Sequence, residues 1–249
     1  MSLPLVFLHG WGLRGSVWEA CVDAAAALGY AAHAPDLPGL GEVPEAHPYR
    51  AEALADSLAA AMPAPCCVVG WSLGGLVAQA WAARHPQQVQ ALVLVGATPA
   101  FLARADWPHG LSAEVLEGFA ESLVTDQQAT LLRFLSLQAR GGEAAREVIG
   151  RLRARLLDGG ATDLDTLRAG LELLRDSDLR TLAAAIRGPC LVLHGGHDSL
   201  CPVGAGRWLA EHIPDAELTI HPHAAHAPFL SHPDWFNERL RAFMAALGK

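Results

Sequence analysis

Six short apolar runs, at residues 5–8, 31–34, 66–69, 91–95, 190–194 and 218–221, limit what this 249-residue chain can fold into. Each is long enough for one strand, and most are apolar throughout, the pattern of strands buried on both faces. Between most of them lie segments of helical periodicity at 17–28, 51–62, 73–84, 203–212 and 233–247, with Gly29, Pro63 and Pro86 as stops just beyond three of them. Strand and helix in alternation predict a mostly parallel sheet covered by helices. The alternation stops between Pro99 and Arg187, where 112–124, 127–140, 143–157 and 164–175 all read as helices. The expectation is an α/β core built from 1–98 and 188–249, with an all-helical cap, 99–187, inserted over the C-terminal edge of the sheet. A single large domain carrying an insertion suits the length.

Composition removes several function classes. Hydrophobic residues make up 51% and charged residues 18%, which is globular, and 26 acidic against 18 basic residues leave a formal charge of −8. A negative global field disfavours nucleic acid and anionic membrane. The five cysteines are odd in number and irregularly spaced, with Cys66 and Cys67 adjacent in an apolar run, so they read as buried thiols in a reducing compartment. The N-terminus lacks a basic segment and a long apolar stretch, so no signal peptide is expected and the cytoplasm is the expected location. Residues 58–83 carry no charge, but Pro63, Pro65, Gly70, Gly74 and Gly75 divide them into a helix end, a strand and a new helix. No membrane span is expected.

The strongest chemical signal is Gly70-Trp71-Ser72-Leu73-Gly74-Gly75, directly after one apolar run and directly before a helical segment. A serine on a sharp strand-to-helix turn stands exposed as a nucleophile, and the flanking glycines let backbone pass without a Cβ clash. Its hydroxyl attacks a carbonyl only when a positioned base takes the proton, and that base needs a third group to fix its tautomer. Two later segments supply these groups. Leu191-Val192-Leu193-His194-Gly195-Gly196-His197-Asp198 is a strand with a loop ending in an acid, and His221-Pro222-His223-Ala224-Ala225-His226-Ala227-Pro228-Phe229 follows the last strand. Ser72, Asp198 and His226 are therefore the expected nucleophile, orienting acid and base, with His226 preferred to His223 for its distance past the strand. Asp36 and His9 are expected to hold their loops. Cys201 is expected to pack.

His194, His197, His221, His223, His226 and His232 also admit a reading as metal ligands. Pro222, Pro228 and Pro233 interrupt any regular ligand-bearing helix, no H-E-x-x-H spacing occurs, and one histidine is already required by Ser72, so no metal is expected. Acyl transfer needs about two backbone N–H groups aimed at the developing oxyanion. The amides of Leu73 and of Trp11, in His9-Gly10-Trp11-Gly12, are the natural donors, and Trp11 and Trp71 are expected to wall the pocket.

His9-Gly10-Trp11-Gly12, the serine turn, the Leu193 to Asp198 turn and His226-Ala227-Pro228-Phe229 resemble the α/β-hydrolase superfamily over nearly the whole chain. Within it, Phe101-Leu102-Ala103-Arg104-Ala105-Asp106-Trp107-Pro108, Arg133-Phe134-Leu135-Ser136-Leu137-Gln138 and Ala224-Ala225-His226-Ala227-Pro228-Phe229 are similar to the pimeloyl-[acyl-carrier protein] methyl ester esterase family of biotin synthesis. The resemblance implies an α/β-hydrolase fold and a cofactor-free serine esterase that releases methanol from the carrier-bound pimeloyl methyl ester. It implies that Ser72, Asp198 and His226 form the triad and that Trp11 and Leu73 contact the acyl group or oxyanion. It further implies that Phe134, Leu135, Ser136, Leu137 and Gln138 line the substrate channel. An acyl-carrier protein would dock on cap arginines, with Arg133 and Arg146 in register and Arg151, Arg153 and Arg155 nearby. Locally the charge permits this: residues 130–157 hold six arginines against two glutamates. The leading antiparallel strands usual in the family are expected to be absent, and a monomer is expected. A general short-chain carboxylesterase or a C–C bond hydrolase would use the same triad, and a ligand-binding receptor the same scaffold.

Overall fold

The structure, a computed structural model, describes residues 3–40, 48–158 and 162–248. Its sheet has six strands in the order β2-β1-β3-β4-β5-β6. These are β1 Leu5–Leu8, β2 Ala32–His33, β3 Cys66–Trp71, β4 Val89–Val95, β5 Cys190–Gly195 and β6 Ala216–His221. Every ladder between them is parallel. All six expected strands are present. The second shrinks to Ala32 and His33 at the sheet edge, where β1 is its one partner. β3 instead runs on through Gly70 and Trp71, so that the strand delivers the chain directly to Ser72.

Side-chain alternation explains why the runs are apolar on both faces. Val6 and Leu8 of β1, Cys66 and Val68 of β3, Leu92 and Leu94 of β4, and Cys190 and Val192 of β5 pack into one buried cluster with α2 (Ala51–Ala61), α3 (Leu73–Arg84) and α8 (Val203–His212). Leu5 and Phe7, Cys67 and Val69, Val93 and Val95, and Leu191 and Leu193 join the opposite cluster with α1 (Glu19–Ala27), α9 (Pro228–Ser231) and α10 (Pro233–Leu247). Each large side chain buried this way contributes about 1.5–3 kcal/mol relative to exposure. One helix expected at 17–28 is divided into a 3-10 turn, Gly15–Trp18, followed by α1.

Between β4 and β5 the described residues add no strand to the sheet. They form α4 (Ala113–Thr125), α5 (Gln127–Gln138), α6 (Ala145–Asp158) and α7 (Leu164–Asp176), then a 3-10 turn at Arg180–Ala185. The Asp126 and Asp163 carboxylates cap α5 and α7, accepting from the amides of Ala129 and Thr166. Leu116 and Phe119 of α4, Leu131 and Phe134 of α5, and Leu167 and Leu171 of α7 share the cluster that contains Trp11 and Leu73. The uncharged stretch divides as expected among α2, β3 and α3, and no helix among the described residues is long and apolar enough to cross a membrane. All five cysteines are buried and unpaired, and burial pushes the Cys21 thiol up to about 12.

Gly74 shows how tightly α3 is set on the sheet. A Cβ there would overlap the Leu8 carbonyl oxygen and come within 2.7 Å of that of His9. Gly74→Ala is expected to destabilise the fold by about 2–4 kcal/mol, since the clash is with backbone that cannot swing aside. Thermal denaturation checks this, and an unchanged melting temperature would contradict it.

Candidate active site

Ser72 sits between β3 and α3 at φ 57° and ψ −118°, a conformation that costs a residue with a Cβ about 1–3 kcal/mol. Its amide donates to Val95 O at 3.2 Å, and its carbonyl accepts from Gly75 and Leu76, which locks the turn into the first turn of α3. Gly70 and Gly75 make that crossing possible: a Cβ at Gly70 would stand 2.6 Å from Ala78 Cβ, and one at Gly75 would stand 2.7 Å from Ala97 Cβ. Gly10 lies against the serine itself, with room for a Cβ only 3.4 Å from Ser72 Cβ.

The loops after β5 and β6 bring Asp198 and His226 together although 28 residues separate them. Their Oδ2 and Nδ1 atoms lie 2.7 Å apart, and both side chains are fully buried. The other carboxylate oxygen, Oδ1, accepts from the amides of Leu200 (3.0 Å) and Cys201 (2.9 Å). A carboxylate bound this way only accepts, so Nδ1 of His226 carries the proton and Nε2 is left with a lone pair. Nε2 is buried with no hydrogen-bond partner among the described residues. Two main-chain contacts hold the histidine from opposite sides: its amide donates to Gln138 O at 3.0 Å, and its carbonyl accepts from the Trp71 indole at 2.9 Å. Gly96 lies beneath the pair, where a Cβ would stand 3.2 Å from His226 Nδ1 and 3.3 Å from Asp198 Oδ2.

Leu73 is the first residue of α3, so its amide has no intrahelical acceptor and lies at the positive end of the helix dipole. Trp11 is buried against α5 and α7. Its indole donates to Leu167 O at 2.9 Å and its ring meets that of Phe134 edge-on at 4.8 Å. Gly170 of α7 makes the notch for that ring, since a Cβ there would lie 2.6 Å from Trp11 Cδ1. His9, Trp11, Gly12, Leu73, Leu167 and Gly170 enclose a cavity of only about 10 Å³. A roomier opening of about 300 Å³ between α4 and α7 is lined by Leu116, Val124, Arg168 and Leu171, and by none of Ser72, Asp198 and His226.

One sequence expectation needs correction. Trp71 does not wall the pocket: alternation along β3 turns it to the opposite sheet face, where it packs on Trp18 and Phe229 and supports the His226 loop. Residues 134–138 lie on more than one face of α5, because five successive helical residues go more than once round the axis. Phe134 faces Trp11, Leu135 enters the opposite cluster, and Leu137 is half-buried. Gln138 reaches His226 through its carbonyl, whereas Ser136 is exposed, its hydroxyl donating to Leu132 O at 2.9 Å.

The arginines of residues 130–157 also divide. Arg133 lies over the Phe119 ring and donates to Ser122 Oγ at 3.0 Å. Arg151 bonds Glu147 and Leu230 O, and Arg155 pairs with Glu19 on the core. Arg140, Arg146 and Arg153 are exposed and have no ion-pair partner among the described residues.

His9 and Asp36 hold loops as expected. Asp36 accepts from Gly15 N at 2.7 Å, and His9 donates from Nδ1 to Gly10 O at 2.9 Å while accepting the Leu37 amide at Nε2, 3.0 Å away. Both His9 nitrogens are satisfied by the neutral ring, and burial holds its pKa below the usual 6.5. The unfolded chain therefore binds more protons than the native one as pH falls below that value, and stability is lost in that direction. The urea midpoint is expected to fall between about pH 7 and about pH 5, and a flat midpoint would contradict the assignment. His194, beside Asp198, enters the sequence reading only among possible metal ligands, because an apolar strand conceals which of its residues meets the Asp198 loop.

A family profile described as alpha/beta hydrolase fold matches residues 4–233. The chain is 46% identical to a pimeloyl-[acyl-carrier protein] methyl ester esterase of Chromobacterium violaceum over 93% of this chain and 90% of that one. It is 44% identical to a protein of the same name from Aromatoleum aromaticum, over 94% and 95% of the two chains. Among solved structures, an esterase from Exiguobacterium antarcticum superposes with a TM-score of 0.88 at 23% identity, covering 98% of this chain and 93% of that one. The chain belongs to the alpha/beta hydrolase family, and within it to the family of those two esterases.

Proposed function

We propose that the protein is a serine esterase that hydrolyses the methyl ester of a pimeloyl chain tethered to an acyl-carrier protein, releasing methanol in biotin synthesis. The observation that carries this is a buried Asp198–His226 pair beside a serine elbow in a chain 46% identical to an esterase named for that reaction. Ser72 Oγ attacks the ester carbonyl as His226 Nε2 takes its proton, and Asp198 stabilises the imidazolium that forms. The amides of Leu73 and Trp11 receive the negative charge on the carbonyl oxygen. Collapse of the intermediate expels methoxide, which leaves as methanol with the proton from His226. A water deprotonated by His226 then attacks the acyl-enzyme, and the free carboxylate and Ser72 are regenerated. No cofactor or metal takes part.

Residues 99–187 act as a cap on the core. Ligand pockets run to about 300–1,000 Å³, far above the cavity of about 10 Å³ that Trp11 shares with Leu167 and Gly170, so on this reading α7 shifts to admit the acyl chain. Phe134 and Trp11 are then the first apolar surfaces the chain meets, with Leu137 and Gln138 beyond. Arg146, with Arg140 and Arg153, offers unpaired positive charge to an acidic carrier, whereas Arg133, Arg151 and Arg155 already hold the fold. We read the enzyme as a cytoplasmic monomer, and five buried free thiols suit a reducing compartment.

The test is methanol release from the carrier-bound pimeloyl methyl ester, with rescue of a biotin auxotroph lacking its own methyl esterase as the cellular counterpart. Replacing Arg140, Arg146 and Arg153 by Glu is expected to raise KM for the carrier-bound ester about tenfold and leave hydrolysis of a free p-nitrophenyl ester unchanged. No methanol from the carrier-bound substrate, with brisk hydrolysis of the free ester, would make the protein a general carboxylesterase.

A further inference from the structure

We infer that His194 is a positioning residue for Asp198, holding the turn that keeps the carboxylate on His226. This rests on the proposed role of Asp198 as the group that orients the catalytic base.

His194 lies near the end of β5 and is fully buried. Its Nε2 and the Cys201 carbonyl oxygen are 2.7 Å apart. A carbonyl only accepts, so Nε2 carries the proton and Nδ1 the lone pair. Nδ1 is buried and has no partner among the described residues. It faces α8 at Gly206, where a Cβ would stand 2.6 Å from it. Leaving a buried acceptor unsatisfied costs about 1–3 kcal/mol, and a leucine could fill the same space without that cost. The imidazole therefore contributes something that packing does not require.

Its contribution lies at the other nitrogen. Cys201 closes the 198–201 turn twice over: its amide donates to Asp198 Oδ1 at 2.9 Å, and its carbonyl accepts from His194. The Cys201 side chain packs in the core, and burial raises its thiol well above the ordinary range, so its part here belongs to the backbone. The same His194 Nε2 is 3.6 Å from Asp198 Oδ2, the oxygen that bonds His226. That distance is too long for a hydrogen bond, but the N–H dipole acts on the carboxylate in a site closed to water. Burial keeps the ring neutral by depressing its pKa, so it supports Asp198 without competing with His226 as a second cation. Freeing the Cys201 carbonyl would let the turn relax, and a displacement of about 1 Å in a catalytic group can cost about 100-fold in rate.

Glutamine and asparagine separate this role from packing. The amide nitrogen of Gln can reach the position of imidazole Nε2, whereas that of Asn falls near Nδ1. In p-nitrophenyl ester hydrolysis, His194→Leu and His194→Asn are expected to lower kcat about 30–100-fold with KM within about twofold of wild type, and His194→Gln to recover most of the loss. Full kcat in His194→Leu, or equal losses in His194→Leu and His194→Gln, would overturn the inference. Should His194→Leu fail to fold, Gly206→Ala supplies the reading, since its Cβ displaces the ring: a lower kcat at constant KM supports the role, and an unchanged kcat overturns it. Ser72→Ala, assayed alongside, keeps the two readings apart: if it is as active as wild type the proposed function fails, whereas a dead Ser72→Ala with a fully active His194→Leu removes this inference alone.

Discussion

Ser72→Ala is expected to lower kcat for p-nitrophenyl ester hydrolysis by roughly 10⁵–10⁶-fold, the scale on which loss of the nucleophile acts in a triad. No hydroxyl within the turn can replace it, since the neighbouring residues are Gly70, Trp71, Leu73, Gly74 and Gly75. Whatever rate remains comes from the oxyanion donors and from binding, neither of which the substitution touches. KM should therefore change little. The fold should also hold, because the Ser72 side chain makes no cap to α3 and the main-chain bonds from Val95 O to Gly75 N are independent of its hydroxyl. Ser72→Gly offers the complementary measurement. Alanine keeps the Cβ and with it the strain at φ 57°, whereas glycine adopts that conformation freely. Both variants are expected to be inactive, with the glycine variant the more stable by up to about 1 kcal/mol in urea denaturation. If Ser72→Ala and wild type hydrolysed the ester at comparable rates, the nucleophile would be elsewhere.

What the sequence disclosed depended on range. The elbow was legible because its cause is local: a strand, a helix and glycines at fixed offsets all bear on one turn. The pairing of Asp198 with His226 was legible only as an order of loops, and the parallel topology supplies the contact by placing β5 beside β6. Facing was less legible. Trp71 is one residue from Ser72, yet the two-residue period of β3 sends it to the far side of the sheet. The stretch from Phe134 to Gln138 is contiguous in sequence but winds round α5, so one residue meets Trp11 and another meets solvent. Charge was legible in sum and not in partner: Arg151 and Arg155 count toward a basic segment, but their guanidiniums are occupied by Leu230 O, Glu147 and Glu19. The contacts with Leu230 and Glu19 join elements far apart in the chain, which no local pattern encodes, whereas Arg151–Glu147 is an i,i+4 pair within α6.

Asp198→Asn is expected to lower kcat by about 10⁴-fold while leaving the protein folded, and the geometry says why a change of one atom suffices. The carboxylate accepts three N–H groups, two on Oδ1 from Leu200 and Cys201 and one on Oδ2 from His226 Nδ1. An asparagine amide has one accepting and one donating end, so one side of this arrangement must fail. If the nitrogen faces Leu200 and Cys201, donor meets donor and the 198–201 turn loses both bonds. The less costly orientation keeps those two and turns the amide nitrogen toward His226. The imidazole then has to accept at Nδ1, which moves its proton to Nε2. A histidine protonated at Nε2 cannot receive the proton of Ser72, and the charge that would have stabilised the imidazolium is gone as well. The expected signature is a steep loss of kcat with little change in KM, partly recovered as pH rises and hydroxide substitutes for the missing base. Urea denaturation should show a near-native midpoint, since the two bonds to the turn survive. A variant within about tenfold of wild-type kcat would mean that Asp198 does not set the tautomer of the base.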